Sequence, residues 1–255
     1  MNLVYVGLMQ WSDDGFVISI RKHGETAAIV TLLTREHGRH AGLVRGGVGR
    51  RQRGTLQIGN LVRAHWRARL AEHLGTLTCE LTGAHAAGLM DMKLPLLALC
   101  AATGLLDSSL PERAPHPEVF EQFIGLVEAL AEPSWEAQYV RWEVDLLADL
   151  GFGLDLSECA ATGSSDGLAY VSPRTGRAVS AAAGEPYRDR LLSLPAFLLD
   201  NKIKLDKTQF LNGLTLTGHF FTTQIFAPDG RKLPTARMHL VDQIAGTATI
   251  SSVSN

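Results

Sequence analysis

Residues 61–68 read LVRAHWRA, in which Val62, Ala64, Trp66 and Ala68 alternate with Arg63, His65 and Arg67, and Arg69 continues the basic series. Successive side chains of an extended strand point to opposite sides. The alternation therefore predicts a strand with one dry face and one wet face. An unpaired buried guanidinium costs several kcal/mol, so Arg63, Arg67 and Arg69 are expected outside, with Trp66 in the core. Neighbouring stretches behave alike. Phe16, Ile18 and Ile20 alternate with Val17, Ser19 and Arg21, residues 24–34 are apolar and β-branched, and 37–47 and 74–83 supply two more runs.

Five short strands joined by glycine turns fit a small closed barrel such as the OB-fold. Past residue 84 the period becomes helical. A helix is expected within 84–107, and Phe120, Phe123, Ile124, Val127 and Leu130 keep i, i+3, i+4, i+7 spacing. Trp135, Tyr139, Trp142 and Leu146 carry the pattern into a further helix ended by Gly151, with the aromatic stripe read as core. Residues 151–187 are rich in Gly, Ser and Ala and read as an irregular insertion. Helical patterns return near 188–200 and 207–226, before a polar tail without clear period. The fold class is thus multi-domain α+β, with a barrel domain at 9–83 and a helical domain at 84–255.

The formal net charge of −2 hides an asymmetry. Up to residue 80 there are 11 Lys and Arg against 6 Asp and Glu; the other 175 residues hold 13 against 20. Residues 37–71 contain no acid, and 42–54, GLVRGGVGRRQRG, hold five glycines and four arginines. One-signed charge on pliable backbone implies a partner of opposite sign. Arginine pairs with phosphate through a planar fork and stacks on bases. Arg35, Arg39, Arg45, Arg50, Arg51, Arg53, Arg63, Arg67 and Arg69 are therefore the nucleic-acid-binding residues expected, with glycine amides exposed along the loop. The alternative is a protein-interaction adaptor whose basic surface docks on an acidic partner.

Other motifs exclude more than they propose. GGVG lacks the P-loop pattern, and no G-x-S-x-G or zincin motif appears, so no catalytic residue is assigned. His37 and His40 read as surface histidines rather than metal ligands, and Asp13 and Asp14 as a strand entry. Three separated cysteines, Cys79, Cys100 and Cys159, argue for a reducing cytosol rather than a disulfide framework. No apolar run is long enough for a membrane span, and the opening MNLVYVGLMQ lacks the basic region of a signal peptide.

From about Trp11 onward the chain resembles the RecO family of recombination mediators. The segments that carry the likeness are DDGFVIS at 13–19, HGETAAIVTLLT at 23–34, GRHAGLVRGG at 38–47, YVRWEVDLLADLGF at 139–152, YVSPRTGRAVS at 170–180 and LPAFLL at 194–199. Residues 1–8 precede the point where such chains begin. The resemblance implies an N-terminal OB-fold, a helical domain, and a four-cysteine zinc module between paired C-x-x-C motifs. Here the corresponding positions read Cys159-Ala160-Ala161-Thr162 and Ser180-Ala181-Ala182-Ala183. One thiol of four cannot make a tetrahedral thiolate site, so the module-like segment 153–187 is expected to fold without metal, and no cofactor is expected.

What the resemblance implies about activity is binding of single- and double-stranded DNA, annealing of complementary strands, and loading of the RecA recombinase together with RecR. It also implies contact with the acidic C-terminal tail of the single-strand-binding protein, for which Arg141, Arg188, Arg190, Lys202, Lys204 and Lys207 are the candidate cations. Such a protein works in the cytoplasm, at the nucleoid during repair.

Overall fold

The structure, a computed structural model, describes residues 9–251; residues 1–8, upstream of the family likeness, lie outside the described residues. The chain divides into two compact units, residues 1–121 and 122–255.

In the first unit, strands β1 (Met9–His23), β2 (Ala27–Thr34), β3 (Gly38–Val44), β4 (Leu61–Ala68) and β5 (Thr76–Gly83) close into a barrel in the order β1-β2-β3-β5-β4. β1 is long because it serves two partners: its first half pairs with β4 and its second half with β2, with an irregularity between Val17 and Ser19. That shift changes which face is inside. Val17 packs in the barrel core with Val30, Leu32, Val62 and Leu77, whereas the adjacent Phe16 is buried against Phe120 with ring centroids 5.5 Å apart. Along β4 the alternation is complete: Val62, Ala64, Trp66 and Ala68 are buried, while Arg63, His65 and Arg67 are exposed.

The single expected helix at 84–107 is two, α1 (His85–Gly88) and α2 (Lys93–Ser109), and both belong to this unit. Asp13 and Asp14 sit within β1 rather than at its entry. Asp13 is buried and accepts the N–H groups of Asp14 and Glu36, each at 2.8 Å. α3 (Pro117–Ala129) carries the chain from the first unit to the second.

The second unit is built on α4 (Trp135–Asp149), whose Trp135, Tyr139, Trp142 and Leu146 are all buried. The supposedly irregular segment contains β6 (Leu168–Val171), β7 (Ala178–Ser180) and the short helix α5 (Ala181–Gly184). With β8 (Leu192–Ser193), the strands form a small sheet in the order β7-β6-β8. No long helix covers 188–200. Pro195, which cannot donate a helical hydrogen bond, separates β8 from a single 3₁₀ turn at Ala196–Leu198. α6 (Lys207–Phe220) runs into a π-helical turn, Phe221–Phe226.

The tail is also a helix, α7 (Thr235–Ser251). Its inward positions include Arg237 beside Leu240 and Ile244, so a charged residue interrupts the apolar period that would have revealed it. Arg237 is 2 % exposed and forks onto Glu143 of α4 at 2.8 and 2.9 Å. It also donates to the carbonyl of Leu214 and the hydroxyl of Thr217. Among the described residues no helix is long and apolar enough to cross a membrane.

Candidate nucleic-acid interface

Two hydrogen-bonded rows decide where the arginines gather. In one, Lys22 of β1 pairs with Ala28 of β2, and Ala28 with Val44 of β3. In the other, Leu43 of β3 pairs with Thr76 of β5, and Thr76 with Arg67 of β4. Adjacent strands are about 4.8 Å apart, so each row spans about 10 Å. Arg45, just beyond β3, therefore stands between Arg21 and Lys22 on one side and Arg67 and Arg69 on the other. The loop bearing Arg50, Arg51 and Arg53 leaves from the same point. All eight cations are exposed, and among the described residues none forms an ion pair. The adjoining turns add two acids, Glu25 and Glu72.

The three remaining expected arginines lie elsewhere, and each meets a carboxylate of its own unit. Arg35 pairs with Glu121 and lies over the Phe120 ring at 4.6 Å. Arg63 contacts Asp14 at 3.2 Å and faces Glu80 across the sheet. Arg39 is the most enclosed: its side chain is 17 % exposed, its Nε donates to the carbonyl of Leu110 at 2.8 Å, and Asp107 and Glu112 flank its Nη atoms at 3.3 and 3.6 Å. The acids that pair with Arg39 come from α2 and the segment after it, far along the chain, so nothing near residue 39 announced them. Sequence reasoning in turn missed Arg21 and Lys22, because only the β1–β2–β3 register brings them beside Arg45.

The loop is less pliable than its glycines suggest. Gly47 donates its N–H to Val44, Val48 to Thr26, Gly49 to Gly46 and Gln52 to Gly49, so these amides face chain carbonyls rather than an incoming anion. Leu56 is buried in the barrel core. On the opposite turn, the Arg113 side chain donates to the carbonyls of Ala71 and His73, tying down residues 69–75. Two of the loop's glycine amides, those of Gly47 and Gly49, are thus already taken.

The histidines diverge from expectation. His40 is buried between Trp11 and Trp66, edge-on to both, with neither ring nitrogen hydrogen-bonded. Burial, aided by the Arg113 and His37 charges, pulls its pKa down to about 4. His37 stacks on Trp11 at 4.3 Å and contacts Asp13 at 3.0 Å. Trp66 is 3 % exposed and donates its indole N–H to Leu74, so it is core and not a stacking platform.

In the second unit the thiol of Cys159 meets hydroxyls rather than other thiols. It accepts the N–H of Ser180 at 3.2 Å and donates to its hydroxyl at 3.5 Å. Hydrogen bonds from Thr162 and Ser180 draw its pKa down to about 6. Backbone bonds, Gly163 to Cys159 and Ala160 to Ala178, both at 2.8 Å, hold the segment. Among the described residues no three His, Cys, Asp or Glu side chains converge as a metal site.

The six cations proposed for partner contact are dispersed. Arg141 donates to the carbonyl of Phe197 at 2.6 Å and lies over its ring. Arg188 is exposed near Glu185 and Asp189 at 4.0 Å, and Arg190, Lys202 and Lys204 are exposed. Lys207 opens α6. A largely apolar groove lies between α6 and α7, lined by Leu192, Leu214, Leu233, Met238 and Val241 together with Arg237 and Asp242. None of the six cations lines it. Arg237 Nη1 lies 2.8 Å from where a Cβ on Gly218 would stand, so glycine is what leaves this guanidinium room.

Comparison with known proteins bears on both units. A family model described as Recombination protein O N terminal matches residues 9–84, and one described as Recombination protein O C terminal matches residues 95–233. A curated protein of Rhodospirillum centenum, DNA repair protein RecO, is 52 % identical over 248 residues, 96 % of this chain and 99 % of that protein. Proteins of the same name are 48 % identical in Rhodospirillum rubrum over 93 % of this chain and 97 % of theirs, and 52 % in Phenylobacterium zucineum over 93 % and 98 %.

Proposed function

Because the chain belongs to the RecO family of DNA repair proteins, we propose that it binds single- and double-stranded DNA through its barrel, anneals complementary strands, and helps load RecA together with RecR. The observation that carries this reading is the band of unpaired cations around the end of β3: Arg21, Lys22, Arg45, Arg50, Arg51, Arg53, Arg67 and Arg69. Repulsion between phosphates is the main electrostatic obstacle to bringing two strands together, and exposed guanidiniums screen it. Contacts of this kind go to the backbone, which leaves bases free to pair and gives little sequence preference. In OB-folds the loop joining the first two strands and the loop joining the last two flank the oligonucleotide face. Here they carry Lys22 and Arg69 at their bases, which fits that architecture. DNA contact is accordingly assigned to residues 9–83 and protein contact to 84–255.

The test is binding of labelled single-stranded DNA across a salt series. Each phosphate contact contributes about −0.7 to the log–log slope, and Arg50→Ala, Arg51→Ala and Arg53→Ala together should weaken binding and flatten the slope at nearly unchanged thermal stability. A weak, flat response in the unaltered protein would favour the adaptor reading instead. For the acidic tail of the single-strand-binding protein we propose the exposed cations Arg190, Lys202 and Lys204 of the second unit. Arg190→Glu, Lys202→Glu and Lys204→Glu together should abolish capture of a labelled tail peptide. We further infer that the 153–187 segment needs no zinc; about one zinc per chain by elemental analysis after metal-free purification would refute this. The reading places the protein in the cytoplasm, at the nucleoid during repair.

A further inference from the structure

The loop between β3 and β4 ends at Asn60, which is fully buried. Its side-chain amide holds three backbone groups at once. Nδ2 donates to the carbonyls of Gly54 at 2.9 Å and Thr55 at 3.3 Å, while Oδ1 accepts the N–H of Ala86 in α1 at 3.1 Å. Its main chain is held too: the Asn60 carbonyl accepts from Val17 at 3.0 Å, and the Asn60 N–H donates to Gln57 at 3.0 Å. Gly59 beside it has φ +88°, and a Cβ there would stand 2.4 Å from Leu99, so the chain at this point cannot slide. Gly54 follows directly on Arg53, which places the anchored carbonyls immediately after the arginine cluster.

We propose that Asn60 is a positioning residue for DNA binding: it fixes the loop so that Arg50, Arg51 and Arg53 stay beside Arg45, Arg67 and Arg69. This rests on the DNA reading above and adds to it a residue that never touches the ligand. A carboxamide suits the position because one small group must donate twice and accept once where no water enters. Aspartate has no hydrogen to donate, and leucine has neither function, leaving buried carbonyls unsatisfied. The consequence for binding is entropic in origin: arginines that are not held beforehand are seated on phosphate less often, so fewer contacts form. Mobile arginines must be ordered when phosphate arrives, and a held loop has lost that freedom beforehand. The glycines of 42–54 would otherwise supply it generously.

The experiment compares Asn60→Ala with the triple arginine variant and with Leu105→Ala, a destabilising change in the same unit remote from the loop's hydrogen bonds. Each folded protein is titrated with labelled single-stranded DNA over a salt series, well below its melting temperature. Each is also digested briefly with trypsin, and the cut sites are mapped. Asn60→Ala is expected to bind about tenfold more weakly, the equivalent of re-ordering one or two side chains. Its salt slope should be shallower, with cleavage at Arg50, Arg51 and Arg53 accelerated relative to Lys202 and Lys204. Leu105→Ala should show neither change. Asn60→Ser, which keeps a single hydroxyl, should fall between and serves in place of the alanine variant if that one does not fold. Normal affinity and slope in the Asn60 variants, alongside an impaired triple variant, would overturn the positioning role and leave the DNA reading standing. A triple variant that binds like the unaltered protein would overturn both.

Discussion

His40 shows how one side chain can bind stability to pH. The unfolded chain takes up a proton on this imidazole near pH 6.5, whereas the folded barrel refuses it until about pH 4. Between those values the unfolded state holds more protons, so stability is complete above about pH 6.5 and falls as the solution is acidified toward 4. At about 1.4 kcal/mol per pK unit, the loss across the window is roughly 3 kcal/mol. Urea unfolding at pH 7 and pH 5 should show it, and His40→Phe, which keeps an aromatic ring between Trp11 and Trp66, should flatten the acid limb. Trp142 is a contrasting case. It packs against Phe123 and Tyr139, with ring centroids 6.0 Å from each. Its truncation to alanine should cost about 3–5 kcal/mol in denaturant unfolding while leaving DNA affinity unchanged below the melting temperature.

At the scale of elements, the arginines divide by surroundings. Arg39→Ala should lower the melting temperature, because it leaves the Leu110 carbonyl and the Asp107 and Glu112 carboxylates without their donor. Arg67→Ala with Arg69→Ala should lower DNA affinity and leave melting nearly unchanged; a salt titration and a thermal scan of each variant check the division. That split was not legible in the sequence, where Arg39 and Arg67 look alike. β4 was legible because its period of two repeats over a whole strand with unlike faces. The core stripe of α4 was legible for the same reason at a period of 3.6. What stayed hidden was whatever depends on partners distant along the chain. The acids around Arg39 follow α2's approach, the Glu143–Arg237 fork joins residues 94 positions apart, and only register brings the strand end carrying Arg21 and Lys22 near the end of β3. α7 was missed because that same fork puts charge on its inner face.

Over the whole molecule, an acidic balance coexists with a basic band. The chain's pI is about 6.5, so raising pH from 6 to 9 makes the protein more negative. Most of the proposed interface is arginine, which does not deprotonate in this range. DNA affinity is therefore expected to change little over that interval at fixed salt, yet to fall steeply when salt rises at fixed pH. A strong pH dependence would count against an interface made chiefly of arginine. One detail of the barrel bears on how the cations are kept together. β3 meets β5 through a single registered pair, Leu43 with Thr76, supported by the Leu43 N–H to the Gly75 carbonyl at 3.1 Å, while the other neighbours zip along most of their lengths. This is the seam along which the cylinder would unlatch most readily, and it runs directly beneath the cations. Parting there would separate Arg45 on β3 from Arg67 on β4 and break the row of cations in two.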